Sequence, residues 1–118
     1  EYLKLLLKIV LTISKHGNAV ILGRGANFII PKSERISVRI ISPLKTRIKK
    51  VSDKYDVLND EAMMRIKRTE ANRHAFVKKY FYADISKPAH YDLILNSERL
   101  SIDTIVDTVK TALRAMNA

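Results

Sequence analysis

Arg24 stands between Gly23 and Gly25, directly after the apolar run AVIL at 19–22, in a chain with three glycines in all. Glycines beside a strand end let the backbone turn sharply and leave room for a ligand against it. A guanidinium offers a fork of N–H donors matched to phosphate oxygens. The same chemistry recurs on a long helical stretch carrying Arg65, Arg68 and Arg73 with Glu70 among them, and at Arg47, one turn into the helix after a second apolar run. Together these arginines suit phosphate binding and charge neutralisation during phosphoryl transfer. Each alone also reads as part of a solvated basic face, with local pairs such as Glu61–Arg65 and Glu70–Arg73. The formal net charge of +10 extends the attraction to any phosphate, on a nucleotide, a nucleic acid or a membrane surface.

Other chemistries lack their residues. A dinucleotide fingerprint beginning at Gly23 requires glycine at 28, where Phe28 stands, and no acidic residue follows about 20 positions on. None of Gly17, Gly23 and Gly25 precedes a lysine, so the G-x-x-x-x-G-K-[ST] phosphate loop is not matched. Neither G-x-S-x-G nor H-E-x-x-H occurs, which removes the serine-hydrolase and zinc-protease readings. His16, His74 and His90 are scattered and read as surface or capping residues. With no cysteine there is no disulfide framework and no thiolate metal site, which permits a cytoplasmic setting. The opening EYLKLLLKIVLTI is interrupted by Lys4 and Lys8 and is read neither as a signal peptide nor as a membrane span.

The elements that must position these residues follow from periodicity. Residues 2–15 read as a helix so apolar all round that it is expected to be buried or to pack on something outside the chain, including a second copy; Gly17 closes it. AVIL (19–22), ISVRIIS (36–42) and DLILN (92–96) read as short strands covered on both faces. The linker 23–35 is long enough for a parallel crossover and has room for a helical turn in ANFII. Ser42 and Pro43 are placed to cap and open a helix with Leu44, Ile48 and Val51 on one face. Asn59 or Asp60 starts a helix to about Tyr82, with Met63, Ile66, Val77 and Tyr80 toward the core. Ser101 caps a final helix striped by Ile102, Ile105, Val106, Val109, Leu113 and Met116. Strands separated by helices give an α/β fold with a parallel three-stranded sheet.

NAVILGRGANFII, RISVRIISPLKTRIKKV, RIKRTEANRHAFVKKYF and YDLILNSERLSIDTIVDTV resemble, in order and spacing, successive blocks of the cytidylate-kinase-like proteins, nucleoside monophosphate kinase relatives with a P-loop fold. The resemblance covers nearly the whole chain, and GRGANF and YDLILNSERLS are its more specific parts. It implies that Arg24, with Gly23 and Gly25, contributes to the acceptor-nucleotide pocket, that Arg47 is the arginine of the helix after the second strand here, and that 59–82 is the lid. On the lid it falls on Glu70 and Arg73, with Arg65 and Arg68 nearby; Glu70 stands where aspartate is usual and Ala71 where a basic residue is expected. The resemblance further implies that the family's first strand, P-loop, first helix and second strand precede Glu1, and that the P-loop strand lies between 19–22 and 36–42. On that reading residues 1–118 are the C-terminal part of a single kinase-like domain, an incomplete P-loop fold. The complete protein would use ATP and Mg²⁺ to phosphorylate CMP or a similar acceptor, while this chain alone supports neither and is expected to be inactive.

Two alternatives stay open. One is a non-catalytic nucleotide-binding or assembly module. The other is a basic nucleic-acid binder using Tyr80, Phe81 and Tyr82 beside Lys78 and Lys79, although core packing is the preferred role for those rings and nucleic acid the less favoured partner.

Overall fold

The computed structural model of the chain describes residues 2–23 and 25–117. Helix α1 runs over Tyr2–His16 and the one-turn helix α2 over Ala26–Ile29. Strand β1 spans Val38–Ile41, followed by α3, Leu44–Tyr55, and the long α4, Asn59–Phe81. Strand β2 is Leu93–Asn96, and α5 closes the order at Ile102–Met116.

The two strands pair in parallel from Val38 opposite Leu93 to Ile41 opposite Asn96. Their register is set at the entry. Asp92 takes the Ser37 N–H on its carboxylate at 2.7 Å, while the Ser37 carbonyl accepts the amides of Asp92 and Leu93 at 2.8 and 3.1 Å. Arg39 then reaches from β1 to the Ile85 carbonyl at 2.7 Å, the same oxygen that the Tyr91 hydroxyl finds at 2.6 Å. The loop that leads from α4 back into the sheet is thereby clamped to β1.

Between the strands the chain makes a helical hairpin. Ala62 on α4 has no exposed surface, and α3 packs along α4. Asp60 and Glu61 in the first turn of α4 and Lys78 and Lys79 in its last complement the helix dipole. The helix stops where Tyr82 turns left-handed at φ 53°. A second packing centre joins α1 to α2 through Val10, Ala26 and Ile30, with Leu6, Ile21 and Ile29 against them.

Two expectations need correction. The run at 19–22 forms no strand, and the sheet has two strands among the described residues. Ile21 packs on the α1–α2 cluster, but Val20 and Leu22 are 91% and 85% exposed. A strand needs a neighbour for its ladder hydrogen bonds, and none of the described residues lies alongside. Ser42 does not cap α3: Pro43 occupies the cap position without a side-chain bond, and the buried Ser42 hydroxyl has no partner. The stripes of α1 and α5 are only partly covered. Val10 is the one buried residue of α1, none of α5 is buried, and Ile102 is 79% exposed.

The chain is correspondingly open. Its radius of gyration is 15.9 Å, against about 13.5 Å for a compact domain of this length. Its accessible surface is 9189 Å², where a folded monomer of this mass exposes about 6500 Å².

Candidate functional site

The open shape creates one large cleft. It lies between the 18–23 segment and β1, holds about 1740 Å³, and is lined by Gly23, Gly25, Arg47, Glu70 and Arg73 among others. Arg24 itself lies outside the described residues.

Each described member arrives by a different route. Gly23 and Gly25 bracket a turn closed by the Ala26 N–H on the Gly23 carbonyl at 3.2 Å. Arg47 sits in the first turn of α3; its Nε donates to the Ser42 carbonyl at 2.9 Å and its Nη1 to Glu70 of α4. Glu70 therefore pairs across the hairpin with Arg47, and not with Arg73 three residues along its own helix. Arg73 lines the cleft with no ion pair to any described residue, so its donors remain available to an anion. With both side chains of the Arg47–Glu70 pair partly exposed, 36% and 47%, that bond contributes within about 1 kcal/mol and is open to displacement.

The remaining arginines of the helix lie elsewhere. Arg65 donates to Glu61 at 3.0 Å and its guanidinium lies over the Tyr55 ring at 5.2 Å; the Glu61–Arg65 pair was legible from its spacing. Neither Arg65 nor Arg68 lines the cleft. Two arginines that sequence reasoning missed do line it, Arg35 and Arg39. Both are engaged structurally: Arg35 donates to the Ile30 carbonyl at 3.0 Å and lies 3.7 Å from Asp92, and Arg39 lies 5.6 Å over Tyr91 while holding Ile85. Alternation along β1 was the only signal that could have turned Arg39 inward.

Beyond the arginines, His74 approaches Asp84 at 3.9 Å. The Ser86 hydroxyl and then its amide N–H, at 2.6 and 2.9 Å, hold the Asp84 carboxyl below its ordinary range. Hydroxyl, carboxylate and imidazole are not strung as a nucleophile and base, because Ser86 donates to Asp84 and not to His74. The aromatic rings named as stacking candidates are largely committed: Tyr80 packs on Tyr2 and Phe76, with centroids 6.0 and 5.0 Å away, and Phe81 stacks on Phe28 at 5.6 Å. Tyr82 is 91% exposed. Among the described residues no three His, Asp or Glu side chains converge to hold a metal ion, and no helix is long and apolar enough to cross a membrane. Among the described residues the cleft offers guanidinium donors of a kind suited to phosphate oxygens.

A family model described as the cytidylate kinase-like family matches residues 1–99. The chain is 28% identical over 100 residues to a cytidylate kinase of Pyrococcus horikoshii, covering 85% of this chain and 52% of that one. It is 23% identical over 104 residues to a cytidylate kinase of Methanocaldococcus jannaschii, covering 86% and 58%. The chain thus spans about half the length of the curated relatives it matches. The crystal structure of an uncharacterized protein from Eubacterium ventriosum superposes with a TM-score of 0.80 at 22% identity, over 90% of this chain and 63% of the other.

Proposed function

The chain belongs to the cytidylate kinase-like family, and from that premise we propose that it supplies the acceptor and lid portion of a nucleoside monophosphate kinase. The reading rests on one observation: Gly23, Gly25, Arg47, Glu70 and Arg73, drawn from three separate segments, converge on a single cleft. The acceptor is CMP or a close relative. Its phosphate meets Arg73 and Arg47, with Arg24 contributing from the turn, and Glu70 keeps the Arg47 guanidinium aimed across the hairpin until phosphate arrives. In phosphoryl transfer the protein's main work is positioning and neutralising charge on oxygens, which guanidinium forks do without giving or taking a proton. The γ-phosphoryl of a nucleoside triphosphate passes to the monophosphate oxygen, yielding two diphosphates. The triphosphate is cradled by the portion of the relatives' length that this chain does not span, which also covers the bare side of β1 and the exposed Val20 and Leu22.

Calorimetric or NMR titration of the chain with CMP tests this directly. CMP should bind and cytidine, lacking the phosphate, should not. Equal binding of the two, or none of either, would remove the acceptor assignment.

A further inference from the structure

Gly25 has a packing duty besides its turn. It sits at φ +68°, and a Cβ built on it would overlap the edge of the Phe81 ring, with Cδ2 at 3.0 Å, Cζ at 3.1 Å and Cε2 closer still. Gly23, at φ +69°, has nothing within 4 Å of the same construction. The space beside the second glycine, which sequence reasoning left for a ligand, is filled by an aromatic ring from the last residue of α4. That ring is held from several sides. Phe28 stacks on it at 5.6 Å with 21° between planes, Phe76 meets it edge-on at 6.2 Å, and Phe28 in turn carries His90 at 5.0 Å.

We infer that Phe81 is a positioning residue for the acceptor turn: its ring takes the place of a Gly25 side chain and ties the Gly23–Gly25 turn to the C-terminal end of the lid helix. This rests on the reading of that turn as part of the acceptor pocket. Because α4 ends at Phe81 and Tyr82 reverses the chain immediately after it, any swing of the helix end carries the ring with it. The turn and the lid therefore move as coupled parts, although 56 residues separate Gly25 from Phe81 in the sequence.

Two measurements decide it. In a double-mutant cycle read by thermal unfolding, Gly25→Ala should cost clearly less in a Phe81→Leu background, where the ring edge is gone and only the left-handed backbone remains to oppose alanine. An equal cost in both backgrounds overturns the contact. In the second, Phe81→Leu is titrated at a temperature where it is fully folded. CMP should weaken roughly threefold to tenfold, a loss of about 0.7–1.4 kcal/mol by the tenfold-per-1.4 relation, and clearly less in an Arg24→Ala background, where the turn brings no guanidinium to the phosphate. An equal loss in both backgrounds, or no loss in either, overturns the positioning role. Failure of the unsubstituted chain to bind CMP at all instead strikes the kinase reading, and the unfolding cycle still judges the contact.

Discussion

Arg73 and Arg68 lie on one helix five residues apart and meet different fates, which makes them the sharpest test at the residue scale. Arg73 lines the cleft and Arg68 does not. Arg73→Ala should weaken CMP binding by about 1.5–3 kcal/mol, the range for a hydrogen bond to a charged group, whereas Arg68→Ala should change it by less than about 0.5 kcal/mol. Calorimetry on the two variants separates these outcomes; equal losses would mean that the two arginines share the site. Asp84 offers a test by pH. Its carboxyl is held below the ordinary range by the Ser86 hydroxyl and amide, so the charged form is favoured by folding. That contribution is fully present above the usual aspartate pKa of about 3.9 and disappears as pH falls through the depressed folded value. Thermal melts should show Asp84→Asn somewhat less stable than the parent near neutrality, with the difference closing as pH falls through the depressed folded value.

At the scale of elements, α5 carries the cleanest local signal. Ser101 accepts the Thr104 amide on its hydroxyl at 3.1 Å, and Ser101→Ala should lower stability by about 1 kcal/mol, measured as a shift in the urea midpoint at constant slope. Its cap and stripe were legible because both are local, as were the bounds of α1 and α4 to within a residue, which depend on spacing within one helix. The strand expected at 19–22 was not legible as a loop, because AVIL has a strand's composition and its fate depends on what runs beside it. The same limit explains Glu70. Sequence spacing offers Arg73 as its neighbour, but helix packing brings Arg47 nearer from another element. Phe81 under Gly25 was hidden for the same reason, since nothing in GRG announces a ring arriving from the far end of the lid.

The whole molecule exposes about 2700 Å² more than a compact chain of its mass, an area of the order that obligate partners bury. Exposed Val20, Leu22 and Ile102 contribute to it. The chain alone should bind a dye such as ANS, and Val20→Lys with Leu22→Lys should reduce the fluorescence without lowering the melting temperature. Incubated with ATP, Mg²⁺ and CMP, the chain alone should form no CDP by chromatography, because its share of the proposed site serves the acceptor and not the donor. The sheet's two strands carry a different consequence. Ser37 and Asp92, which start the pairing, are 55 residues apart, and everything between them must be brought round before one ladder bond forms. An α3–α4 hairpin built first shortens that loop and lowers its closure entropy. Folding is thus expected to nucleate in the hairpin, with the sheet zipping late. In stopped-flow experiments Ala62→Gly should chiefly slow refolding, whereas Leu95→Ala should chiefly hasten unfolding.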